Sequence, residues 1–275
     1  MSKPQYLHGH HPSVLRSHTW RTAANSCPHL LPHLLPTHTI LDIGCGPGTI
    51  TVDLATLVPS GHVLGIDPSA SVIKQARAHA ASQNIPNVRF EVGDIFAWRA
   101  IPGIAEESFD IIHAHQVLQH LTSPVLAVQE MKKLAKPGGL VAVRDVDYSA
   151  MSHYPPHPGM RKWLRLYTSV AESLQCDPNI GKRLHAVAME AGFARADIEA
   201  SASTWVFSTP EEREFWCGVW AERTVKSDYR ERVLESGLGT VGDLEEIAGT
   251  WREMEGRVDG WFLVVNGQVV CWKRG

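Results

Sequence analysis

No run of 18 or more apolar residues occurs among the 275 positions, so no helix long enough to span a bilayer is expected. The opening residues, MSKPQYLHGHHPSV, are polar and broken by proline, and they lack the apolar centre of a secretory leader. The five cysteines, Cys27, Cys45, Cys176, Cys217 and Cys271, are odd in number and scattered, with no CxxC pair, which excludes a disulfide framework and a cysteine zinc site. Positive charge is not in excess: 26 Lys and Arg against 29 Asp and Glu leave a formal net charge of -3, so no nucleic-acid partner is expected. Internal repeats and long low-complexity tracts are also missing. Seven of the 15 histidines (His8, His10, His11, His18, His29, His33 and His38) fall in the first 38 residues. The HGHH string has no cysteine or carboxylate beside it to complete a coordination sphere, and no metal site is read there. These absences predict a cytoplasmic protein, and the 44% hydrophobic content is enough for one substantial core.

What the chain does have is a strong rhythm between residues 39 and 145, where short apolar runs alternate with longer helical patterns. This is the signature of βαβ units and a parallel sheet. The runs are Thr39 to Ile43, His62 to Ile66, Val88 to Val92, Phe109 to Ala114 and Leu140 to Asp145. Ser69 and Ser123 stand where helix caps belong, and Val72, Ile73, Ala76 and Ala80 recur at helical spacing. After residue 148 the string SAMSHYPPHPGM reads as a mobile loop. An apolar stripe (Met160, Trp163, Leu164, Tyr167, Ala171, Leu174) then predicts a helix packed on the sheet as a cap. A further helix from Gly181 to Gly192, a strand over residues 197–207, a capping box at Thr209 to Glu212 and a helix through Leu244, Ile247 and Trp251 follow. Asn266-Gly267 within GWFLVVNGQVVCWK predicts a hairpin, and hence an antiparallel end to the sheet. The divisions expected are an N-terminal helical lid (1–38), a sheet core (39–148), a helical cap (149–192) and C-terminal strands with inserted helices (193–275).

The most specific segment is Ile40 to Thr49, an apolar strand entering a turn with glycine at 44, 46 and 48. Glycine there allows a tight turn and lets a ligand approach the backbone, while the next helix presents its first amides at the same place. A dinucleotide-binding loop would read GxGxxG, whereas this one reads GxGxG. Asp67 ends the second strand, where a carboxylate can accept hydrogen bonds from both hydroxyls of a ribose. Gly93-Asp94-Ile95 follows the third strand, and FDIIHAHQVLQHL and LAKPGGLVAVRDVDY carry the fourth and fifth. With GCGPG, these segments resemble the class I S-adenosylmethionine (SAM)-dependent methyltransferases over residues 40 to 145. Within that superfamily the chain is most similar to the ubiquinone and menaquinone biosynthesis methyltransferases and to small-molecule methyltransferases of secondary metabolism. The lead-in from Tyr6 to Leu35, especially His18-Thr19-Trp20-Arg21-Thr22, resembles theirs as well, and the likeness fades after residue 200.

The resemblance implies an α/β, Rossmann-like sheet, mostly parallel with an antiparallel C-terminal strand, and SAM as cofactor. It implies cofactor contacts from Asp42, Gly44, Cys45, Gly46, Gly48, Asp67, Pro68 and Ser69. Asp94 would accept from the adenine amino group with the Ile95 amide facing the ring, and His115 and Gln116 would lie beside the methionine portion. The reaction implied is transfer of a methyl group to oxygen, nitrogen or carbon of a small organic acceptor. Where the acceptor must lose a proton, histidine is the side chain best tuned near neutrality. His115 and His120 are the first candidates, then Asp147, Tyr148 and His153 on the loop after the fifth strand, and Tyr6 and His11 if the N-terminal segment folds over the site. Trp163, Tyr167, Trp205, Phe215, Trp216 and Trp220 suit a flat or apolar acceptor and suit a plain core equally. Two rival readings are an NAD(P)-dependent oxidoreductase, disfavoured by the glycine spacing, and a protein of this fold that does not methylate, as a partner subunit or a natural-product cyclase.

Overall fold

A computed structural model describes residues 12–274, so Tyr6 and His11 lie outside the described residues. Seven strands form one sheet: β1 (Thr39–Ile43), β2 (His62–Asp67), β3 (Val88–Val92), β4 (Phe109–His115), β5 (Ala135–Tyr154), β6 (Ile198–Phe207) and β7 (Trp261–Trp272). Their spatial order is β3-β2-β1-β4-β5-β7-β6. The first five pair in parallel, and β7 is antiparallel to both β5 and β6. Among the described residues ten α-helices surround the sheet: α1 (Pro12–Thr19), α2 (Ala23–Ser26), α3 (Thr49–Leu57), α4 (Ala70–Ser82), α5 (Pro124–Leu134), α6 (Pro158–Ser173), α7 (Leu184–Glu190), α8 (Pro210–Lys226), α9 (Asp228–Glu235) and α10 (Val241–Gly256). Among the described residues none is long and apolar enough to cross a membrane.

Alternation along the strands divides the core by face. On one face Leu41, Ile43, Ile112, Ala114, Val141 and Val143 pack against Ala127, Val128 and Met131 of α5 and Leu184, Val187 and Ala188 of α7. On the other, Ile40, Ile111 and Ala142 meet Ala23, Cys27 and Leu30 of the N-terminal segment and Leu54 and Ala55 of α3. Beyond the C-terminal ends of β5 and β6 and the start of β7, the aromatic residues of α6, α8 and α10 form a cluster of their own, with Trp163 and Trp251 fully buried.

Four expectations are corrected. Residues 149–154 are not a loop: β5 continues to Tyr154 and pairs Ser152, His153 and Tyr154 with Leu263, Phe262 and Trp261 of β7 after a register shift. Only residues 155–157 separate β5 from α6, and Pro158 occupies the first turn of α6, where a missing N–H costs nothing. The division expected at 148 therefore falls inside a strand, and α6 and α7 do not form one cap. The helix α6 packs with α9 and α10, whereas α7 packs against α5 and the sheet. Asn266-Gly267 makes no hairpin but lies within β7, where a Cβ on Gly267 would meet the Gly181 carbonyl oxygen at 1.8 Å. Ser69 and Ser123 occupy N-cap positions without a capping hydrogen bond from either side chain, while the Thr209 capping box forms as expected.

Candidate functional site

The strand order reverses between β1 and β4, and a crevice opens beyond their C-terminal ends, the place where open α/β sheets bind ligands. A cavity of ≈ 620 Å³ fills it. Its floor is the turn after β1. Gly44 has φ 64° and Gly48 φ 82°, backbone that side chains rarely adopt, and a Cβ would meet Val117 Cγ2 at 2.6 Å from Gly44 and Phe90 and Ala76 at 2.9 Å from Gly48. The Cys45 amide donates to the Ile66 carbonyl at 3.0 Å and ties this turn to β2.

Asp67, at the end of β2, accepts from the Gly46 amide at 3.2 Å through Oδ2 and from the Ser69 amide at 2.9 Å through Oδ1. Asp67, Pro68 and Ser69 line the cavity side by side, and a carboxylate there is of the kind that accepts from hydroxyl groups. Next along the same wall, Asp94 caps the turn Ile95–Ala100 by accepting from the Phe96 amide at 2.9 Å. Ile95 is buried beside it and lines the cavity. Two carboxylates, a glycine cradle and an apolar side chain thus line one cavity, a set of donors and shapes that fits the ribose and adenine of SAM.

Asp42 has a different occupation. Its Oδ2 accepts from Thr51 Oγ1 at 2.6 Å and its Oδ1 lies 2.7 Å from His113 Nδ1, while His113 Nε2 lies 3.2 Å from Cys27 Sγ. His113 and Cys27 are fully buried and Asp42 nearly so. Burial alone would depress the His113 pKa, but Cys27 and Asp42 outweigh it and hold the imidazole at about 10. The Asp42 carboxylate, expected among cofactor contacts, therefore braces the strand beneath the glycine turn, although the residue lines the cavity. Cys45 also lines it, its thiol pushed well up by burial first and by Asp42 and Asp67 next.

His115, Gln116, His120, His18 and Arg21 also line the cavity. Gln116 has φ 57°, a strained value for a residue with a side chain. Its amide donates to the Arg144 carbonyl at 2.8 Å and its Nε2 to Asn266 Oδ1 at 2.6 Å. Burial, reinforced by Arg21 and Arg144, drives His115 well below the usual histidine range. Burial, then Arg21 and Arg223, takes His120 to about 3. Both imidazoles are therefore neutral near pH 7, and neither has the near-neutral tuning expected of a base.

Three other candidate bases are not brought to the cavity. Asp147 accepts from the Ser149 amide at 3.0 Å and lines a separate hollow with Lys182 and His185. Tyr148 is in the aromatic cluster, its ring centroid 4.5 Å from that of Tyr167. His153 sits on the extension of β5 and accepts from the His157 amide at 3.4 Å. Trp163, Tyr167, Trp216 and Trp220 are likewise buried among one another rather than lining the cavity. Sequence reasoning missed Arg144 and Trp205 as neighbours of His115. The Trp205 ring lies 5.7 Å from His115, and its Nε1 donates to the Asn25 carbonyl at 2.7 Å. The available signal was an arginine within the buried run VAVRDVDY. No group of three or more metal-ligating side chains occurs among the described residues, and all five cysteines are free.

Comparison with known proteins matches residues 35–194 to a family described as a methyltransferase domain. An uncharacterized methyltransferase of Schizosaccharomyces pombe is 31% identical, covering 99% of this chain and 99% of its own. A protein of Aspergillus luteorubrus named as a probable methyltransferase is 30% identical over 98% of this chain and 97% of its own. Among solved structures, the phosphoethanolamine N-methyltransferase 2 of Haemonchus contortus in complex with SAM aligns with a TM-score of 0.52 at 18% identity, over 87% of this chain and 49% of that one, a likeness of fold.

Proposed function

Because this chain belongs to the class I SAM-dependent methyltransferases, we propose that it methylates a small organic molecule bound beside His115 and His120 in the cavity. The observation that carries this reading is that one cavity is lined by two sets of groups. Asp67, Asp94 and the glycine turn line it together with Gln116, His115, His120 and Arg21. The volume of ≈ 620 Å³ must hold both cofactor and acceptor, which favours an acceptor of modest size.

When bound, SAM supplies a methyl group already activated on a sulfonium. What remains for the protein is placement, and holding two reactants in line is worth several powers of ten in rate. Gly44 to Gly48 and Asp67 would hold the adenosine part against β1 and β2. Gln116, fixed by Asn266, and His115 would border the transferable group, and His120 would accept a hydrogen bond from the acceptor and orient it. A cytoplasmic setting and a role in secondary metabolism accompany this reading.

Incubation with methyl-labelled SAM and pooled phenolic, enolic, carboxylic and amine acceptors tests it. The proposal expects label in a product heavier by one methylene. SAM binding without label transfer to any acceptor would favour a use of the same fold without methylation.

A further inference from the structure

The stretch of cavity wall just past β4 is held from behind by two strands to which it does not belong. Gln116 and Val117 follow β4 directly and line the cavity, and the Gln116 backbone keeps its φ of 57°. Strained backbone of this kind persists where the surrounding contacts leave no alternative. Asp145 of β5, fully buried, accepts from the Leu118 amide at 3.0 Å and from the Gln119 amide at 3.4 Å. The Gln116 side chain is gripped at both ends: its Nε2 donates to Asn266 Oδ1 at 2.6 Å, and its Oε1 accepts from Gln119 Nε2.

Asn266 is the rigid end of this relay. It is fully buried in β7, paired with Val146 of β5 on one side and Ser203 of β6 on the other, and the next residue, Gly267, abuts the Gly181 carbonyl. Its Nδ2 donates to the Val264 carbonyl at 3.2 Å, which leaves Oδ1 to face Gln116 and sets the sense of the Gln116 amide. Asn266 does not line the cavity, so anything it contributes to a ligand passes through Gln116.

The strand order β3-β2-β1-β4 places Asp94, Asp67, the glycine turn and Gln116 side by side in that sequence. A sulfur nucleoside with its adenine at Asp94 and its ribose at Asp67 therefore extends its chain beyond the ribose toward Gln116. A glutamine that had to be ordered at the moment of binding would cost about threefold to tenfold in affinity. Resting on the methyl-transfer reading, we propose that Asn266 is a positioning residue for the cofactor: through Gln116 it preorganises the wall that meets the amino-acid chain of the nucleoside, and it leaves the adenosine part untouched.

The test is calorimetric titration of wild type, Asn266→Leu and Asn266→Asp with S-adenosylhomocysteine and with 5′-methylthioadenosine, which has the same adenosine and sulfur but no amino-acid chain. In Asn266→Leu the preference for S-adenosylhomocysteine over methylthioadenosine is expected to fall about threefold to tenfold, with methylthioadenosine affinity within about twofold of wild type. Asn266→Asp should keep the preference, because a carboxyl buried there stays protonated and still offers an oxygen to Gln116 and a donor to Val264. If Asn266→Leu does not fold, Gln119→Met, which frees the other end of the same amide, is expected to show the same selective loss. A preference that survives the apolar substitution, an equal loss for both probes, or a loss as deep in Asn266→Asp would overturn the proposal. Failure of the wild-type protein to bind either probe would instead sink the methyl-transfer reading on which it rests.

Discussion

Asp42→Asn probes the buried chain from Thr51 through Asp42 and His113 to Cys27. The substitution keeps the shape and removes the charge, leaving the fully buried His113 without its anionic partner 2.7 Å away. Breaking a buried ion pair from one side costs about 3–5 kcal/mol. The asparagine oxygen can still accept one of the two hydrogen bonds, which puts the expected loss near the lower end, about 3 kcal/mol. In a chain of this size that corresponds to a fall in melting temperature of roughly 6–12 °C. The pH dependence has a definite sign. The His113 pKa is raised in the folded state from 6.5 to about 10, so the pair's contribution is complete below pH 6.5 and is lost as pH rises toward 10. Urea denaturation of both proteins at pH 6 and pH 9 should show a larger gap at pH 6. A variant as stable as wild type at pH 6, or a gap that widens with pH, would refute the assignment of Asp42 to this chain of contacts.

Asp67→Ala removes the acceptor expected for two ribose hydroxyls and should weaken S-adenosylhomocysteine binding by about 2–4 kcal/mol, tens- to several-hundredfold in calorimetry. Unaltered affinity would contradict that role. Gly267→Ala places a Cβ against the Gly181 carbonyl oxygen, a backbone group that cannot rotate away, and should destabilise the protein by about 1–3 kcal/mol in chemical denaturation. His120→Ala should leave cofactor affinity within about twofold and slow turnover about tenfold, as loss of one orienting hydrogen bond would. Unchanged turnover would remove His120 from the acceptor site.

The parallel half of the sheet was legible because its evidence is local. Each of β1 to β4 is an apolar run of five to seven residues bounded by turn signals, and GCGPG with Asp67 and Asp94 lies at strand ends that periodicity alone places. The C-terminal half was less legible because its cues were ambiguous. Asn-Gly normally makes a tight turn, but here Gly267 answers a close approach by Gly181, a residue 86 positions away. The histidine and proline content after Ser149 masked a strand that pairing with β7 sustains. The position of a candidate base beyond β5 cannot be read without that pairing, so Asp147, Tyr148 and His153 seemed to border the cavity. Trp205 reaches His115 and Arg144 only because β6 is threaded beside β7 at the sheet's edge. Helical spacing marked the aromatic residues of α6, α8 and α10 as buried, but spacing is the same for a core and for a ligand wall.

The central claim is that the cavity beyond β1, β2 and β4 is built for SAM. Calorimetric titration of the purified protein with SAM, with S-adenosylhomocysteine and with NAD tests it most directly. The structure predicts saturable one-to-one binding of the first two and none of the third. Binding of NAD, or no binding of either sulfur nucleoside, would contradict it.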